Sequence, residues 1–120
     1  MRKAKELPSQ EADLLRHAVH YWASRIGVQP IRVQILSMKR KWASCSTTGW
    51  IRFSKDLIKE DLRFREVVIV HELLHLQVPN HGKLFKSLMN AYLPHWQKIA
   101  RGKIARVCPY DRHDRSIASE

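Results

Sequence analysis

The chain has 120 residues, with 22 Lys and Arg against 11 Asp and Glu, for a net charge of +11. A single domain spanning 1–120 is expected at this length, and 44% hydrophobic residues suffice for a modest core and argue against intrinsic disorder. No run is long enough to span a membrane, no apolar stretch follows the N-terminus as in a secretory signal, and two cysteines, Cys45 and Cys108, exclude a disulfide scaffold.

Reduced thiols and a cytoplasmic location are therefore the expectation. The acids are unevenly placed. None lies between Asp13 and Asp56, or between Glu72 and Asp111, while Arg and Lys populate both intervals. Such a surface can attract a polyanion, so nucleic acid is a candidate partner.

Residues 9–26 read as an amphipathic helix, with Ser9 as N-cap and Leu14, Leu15, Ala18, Val19, Trp22 and Ile26 at helical spacing. Gly27 fits the position just past its end. His17 and His20 on this helix are read as surface or half-buried side chains. Ile31 to Leu36 alternates apolar and polar residues as a strand does. After Lys39-Arg40-Lys41 comes Trp42-Ala43-Ser44-Cys45-Ser46, then a turn at Thr47-Thr48-Gly49 and a strand from Trp50 to Phe53. A hairpin or a three-stranded meander is expected over 31–53. A connection over 54–59 buries Leu57 and Ile58.

A second helix is expected over 61–76, with Leu62, Val68 or Ile69, Leu73 and Leu76 toward the core. The β-branched run Val67 to Val70 favours a strand, but the histidine spacing after it requires a helix. Pro79 and Asn80 stop that helix. Asn80 caps a third helix, 81–93, with an apolar stripe of Leu84, Phe85, Leu88, Met89 and Tyr92. Pro94 ends it or begins a short last helix. A basic tail starts at about 101.

His71-Glu72-Leu73-Leu74-His75 carries the chemistry. Residues four apart share a helix face, so two imidazoles can reach one zinc ion, and Glu72 can act as general base on a water held there. A His-Glu-His set inside an aliphatic segment is costly to bury without such a role. A catalytic zinc needs a third ligand and an open position. A later glutamate is nearly excluded, because Asp111, Asp114 and Glu120 are the only acids after Glu72. His81 is the foremost candidate, at the offset of the third metzincin histidine, though Val78 replaces the glycine of that pattern. His95 and Cys108 are rivals. Backbone carbonyls are the expected outer partners of the ligating histidines, with Glu66 or Asp61 as carboxylate alternatives. Candidates for steadying the oxyanion are Tyr92, His95, Tyr110 and nearby arginines.

Three pieces in order resemble the YgjP-like metal-dependent hydrolases, relatives of the SprT-like zinc metallopeptidases. They are Lys41 to Ser46 with Trp50 to Phe53, Val67 to Leu76, and Pro79 to Phe85. Lys41, Ala43 and Gly82 stand where the family usually has Arg, Gly and Ser. The resemblance implies Zn2+ held by His71, His75 and His81, with Glu72 catalytic. It also implies a minimal zincin-like α+β fold, a small antiparallel-containing sheet against about three helices. The expected activity is a zinc metallopeptidase acting on protein or peptide, and SprT-like kinship extends this to DNA-associated proteins. A basic nucleic-acid-binding module with a structural or vestigial zinc site is the alternative. A metal hydrolase acting on a non-peptide bond is a third possibility. As a strand, Trp42 to Ser46 offers either a small buried thiol at Cys45 or an edge that pairs with an extended peptide.

Overall fold

The computed structural model describes residues 2–46 and 48–100, with side chains from residue 10 onward. The basic tail from about 101, with Cys108, Tyr110, Asp111, Asp114 and Glu120, lies outside the described residues. In chain order the elements are α1 (Arg2–Ile26), β1 (Arg32–Leu36), β2 (Ala43–Cys45), β3 (Trp50–Ser54), a 3-10 turn (Lys55–Lys59), α2 (Leu62–Leu74), α3 (Lys83–Tyr92) and α4 (Trp96–Ile99). The α+β class expected from the sequence is the one observed.

The first helix is longer than its pattern indicates. It begins at Arg2, so Ser9 lies within it and does not cap it. Lys3 to Leu7 are all good helix formers, which carries the helix past the polar residue. Its core face is Leu15, Val19, Trp22, Ala23 and Ile26, while Leu14 is exposed. His17 and His20 are exposed, as expected. Gly27 closes the helix at a φ of +89°, and its N–H donates to the Ala23 carbonyl at 2.8 Å.

The sheet is not a meander. Its order is β1-β3-β2, with β1 parallel to β3 and β2 antiparallel to it. Only β2 and β3 form the expected hairpin. Residues 37–42 carry the chain across the end of β3 before β2 begins. Ser54 holds that crossing: its Oγ donates to the Met38 carbonyl at 2.9 Å, and its N–H donates to the Trp42 carbonyl at 2.8 Å. Alternating apolarity identified these strands but carries no information about which strand lies in the middle. The register sets Ala43 against Phe53 and Cys45 against Ile51. Those four side chains are buried on the helix-facing side. Trp50 and Arg52 take the other side, where the guanidinium lies 4.1 Å from the indole centroid. Gly49 turns the hairpin at a φ of +109°, a conformation that L side chains rarely adopt.

The centre of the molecule is α2. Phe64 and every residue from Val67 to Leu74 are buried. A helix that is apolar on every side belongs in a core, and α2 packs against α1, α3, α4 and β2. This resolves the β-branched run: burial overrides propensity. Leu62, placed on the core face by periodicity, is exposed at the solvent end. The helix stops at Leu74, five residues before Pro79. Asn80 does not cap α3. Its Oδ1 accepts from the Gly82 N–H at 3.0 Å, and Gly82 takes the cap position. From the expected stripe of α3, Phe85 and Met89 are buried and Leu84 is exposed. No helix among the described residues is long and apolar enough to cross a membrane.

Phe53→Ala, in the central strand, is expected to lower stability by about 3–5 kcal/mol, and Leu84→Ala by about 0.5 kcal/mol or less. Urea unfolding midpoints compare the two.

Candidate metal centre

His71 and His75 project from one face of α2, one turn apart, at the end of the helix. His75 takes the C-cap position. The Leu76 and Gln77 N–H groups then donate to the carbonyls three residues back, at Leu73 and Leu74, the Val78 N–H also donates to Leu74, and the chain passes Pro79 and Asn80 to reach His81. The Nε2 atoms of the three histidines converge. They lie 3.2 Å apart for His71 and His75, 2.8 Å for His75 and His81, and 3.0 Å for His71 and His81. Among the described residues these are the histidine, cysteine and acidic side chains grouped so that they can hold a metal ion.

The surroundings suit neutral imidazoles. His71 is 3% exposed and His75 6%. Burial, then the neighbouring His75 and His81, hold His71 well below the ordinary histidine range. Burial, then His81, lowers His75 to about 3. The neutral form is the one that binds metal. His75 Nδ1–H donates to the Val78 carbonyl at 3.1 Å, which leaves Nε2 with its lone pair toward the cluster. The outer partner is therefore a backbone carbonyl, the expected solution in a stretch without acids.

Phe85 forms the floor. Its ring centroid lies 4.9 Å from that of His71 and 4.8 Å from those of His75 and His81, and it stacks on His75 at an interplanar angle of 21°. In the sequence Phe85 is one member of an apolar stripe. Its place four residues after His81, one turn along α3, is the signal that links it to the site.

Glu72 follows His71 and has 0% exposure. Across the core its charge acts on the thiol of Cys45 in β2. Burial first, then the Glu72 charge, pushes that thiol well above its ordinary range, so Cys45 stays protonated. The remaining candidates stand apart from the three histidines. Tyr92 is half-buried, edge-on to Trp22 at 6.3 Å. His95 is exposed at the start of α4. Tyr110 and Cys108 lie outside the described residues. A groove of about 570 Å³ opens beside His75, walled by the turn after α1, by Ser46, Thr48 and Gly49, and by Leu76 to Pro79. No lining side chain carries a formal charge.

Comparison with known proteins agrees with this geometry. The profile of the YgjP-like, metallopeptidase domain matches residues 4–102. No curated protein matches the sequence. The structure is similar to the metallopeptidase zymogen jannalysin of Methanocaldococcus jannaschii, with a TM-score of 0.61 and 26% identity over 66% of this chain and 81% of the other. It shares its fold with the metallopeptidase zymogen abylysin of Pyrococcus abyssi, at a TM-score of 0.65 and 18% identity over 78% of this chain and 98% of the other.

Phe85→Leu keeps an apolar floor but removes the stacked ring. It is expected to weaken metal affinity about 10- to 100-fold, as loss of an outer support does; competition with a chromogenic chelator measures it.

Proposed function

Since the chain belongs to the YgjP-like metallopeptidase domain family, we propose that it is a zinc-dependent peptidase in which His71, His75 and His81 hold the metal and Glu72 is the general base. The observation that carries this is the convergence of three imidazole nitrogens, two of them from the helix that holds the buried Glu72. Three nitrogen donors suit zinc, and three ligands of a tetrahedral ion stand about 3.3 Å apart, close to the spacing found. A fourth protein ligand is absent from the cluster among the described residues, which favours a catalytic over a structural ion.

When bound, the ion supplies a Lewis acid and brings the pKa of an attacking water toward about 7. Glu72 takes the proton from that water as its oxygen adds to the scissile carbonyl. It then returns the proton to the leaving amine nitrogen, so the carboxylate ends in its starting state. Phe85 and the aliphatic residues of α2 keep bulk water from the inner side of the site. The groove beside His75 is the natural path for the substrate chain. Among the described residues β2 is one of the two edge strands and packs on α2, so its outer edge can pair with an extended peptide. An uncharged lining directs the groove toward neutral side chains of the substrate.

Glu72→Gln is expected to retain zinc, by metal analysis, and to lose casein cleavage at least about 100-fold. His81→Ala is expected to lose the metal itself. Equal casein cleavage by Glu72→Gln and the parent chain would overturn the mechanism.

The net charge of +11 supports DNA-associated proteins as substrates. Fluorescence anisotropy with a DNA duplex is expected to show binding that weakens steeply as salt rises. Absence of binding at low salt would remove that partner.

A further inference from the structure

The two faces of the sheet differ in kind. One packs against the helices. On the other, the register sets Arg32 beside Trp50 and Gln34 beside Arg52. Arg32 and Arg52 are exposed, and Trp50 and Gln34 are half-buried. The Arg52 guanidinium lies 4.1 Å from the Trp50 ring centroid, and its Nε–H donates to Gln34 Oε1 at 3.1 Å. The amide and the indole thus fix a flat cation, which still has two Nη groups to offer an anion. The three strands carry no carboxylate, since no Asp or Glu lies between Asp13 and Asp56. At the far end of β3, Met38 is tied to Ser54, and Lys39, Arg40 and Lys41 follow it there. Cations therefore run the length of β3, about 13 Å from Trp50 to Ser54.

A row of unopposed cations attracts the phosphates of any nucleic acid. The paired indole and guanidinium add a flat platform, which an unpaired base can stack on. The bases of a duplex are already stacked on one another and cannot use it.

We propose that this outer face of the sheet is a docking surface for single-stranded DNA, with Arg32, Arg52 and residues 39–41 on the phosphates and the Trp50–Arg52 pair stacking a base. This rests on the DNA association proposed above and assigns it a place and a form of DNA. The place also suits the peptidase reading. Ile31 and Gly49 line the groove beside His75, and Arg32 and Trp50 are the next residues of the chain. DNA on the sheet face holds an attached protein near the mouth of that groove.

The test is fluorescence anisotropy of the zinc-loaded full chain with labelled oligo-dT and with a duplex of the same length. Oligo-dT is expected to bind more tightly, and a preference for the duplex would overturn the single-strand assignment. Arg32→Gln with Arg52→Gln removes two charges from the sheet face. Lys86→Gln with Lys98→Gln removes two exposed charges from α3 and α4. The first pair is expected to weaken oligo-dT binding at least about tenfold and to flatten its salt dependence, the second less than about threefold. Equal losses would mean that net charge alone is felt, and would overturn the docking face. A further readout needs no substitution. Trp22, Trp42 and Trp96 are buried, so quenching of tryptophan emission by oligo-dT reports Trp50. Binding without quenching would overturn the platform. Binding of neither DNA at low salt would refute the DNA association and this inference together, whereas full binding by the Arg32→Gln, Arg52→Gln chain would refute the sheet face alone.

Discussion

Three polar side chains sit in the most apolar helix of the chain, and the fold is organised around keeping them partnered. His71 and Glu72 are buried in α2 and His75 is buried at its C-cap, where an unpartnered polar group costs several kcal/mol. The solutions come from every direction. The loop after α2 returns the Val78 carbonyl to His75. The start of α3 brings His81 and Phe85 over the same face. The hairpin of β2 and β3 sets Cys45 on the face of the sheet turned toward α2. The elements around α2 are thus coverings of its polar end, as well as contributors to the core.

The three-histidine cluster was legible because its features are local. His71 and His75 lie one turn apart, and the absence of acids between Glu72 and Asp111 narrowed the third donor to a histidine. The same acid-free stretch correctly pointed to a carbonyl as the outer partner of His75. The helices were legible where periodicity and burial coincide, as in α1 from Leu15 to Ile26. Leu14, Leu62 and Leu84 were misplaced for one reason: an apolar residue at a permitted helical spacing need not face the core when the helix extends beyond its neighbours.

What periodicity could not supply was pairing over distance. Whether β1 lies beside β2 or β3 depends on how residues 37–42 travel, and the bond from Ser54 Oγ to the Met38 carbonyl links positions with no common pattern. The placement of Cys45 on the side of the sheet that faces α2 was hidden for the same reason. It follows from the register of β2 on β3 and from the way that sheet packs on α2, neither of which is written in any short segment.

The strand order has a consequence for assembly. Among the described residues β1 and β2 share no ladder, and both depend on β3. The strand that completes the sheet is thus the last of the three to leave the ribosome. Until residues 50–54 have emerged, both outer strands lack the neighbour that satisfies their amides and carbonyls. The crossing at Ser54 then latches only once the central strand has threaded between them. After the 3-10 turn comes α2, so the whole sheet precedes the helix that carries His71 in the chain. Synthesis order and site construction run in the same direction.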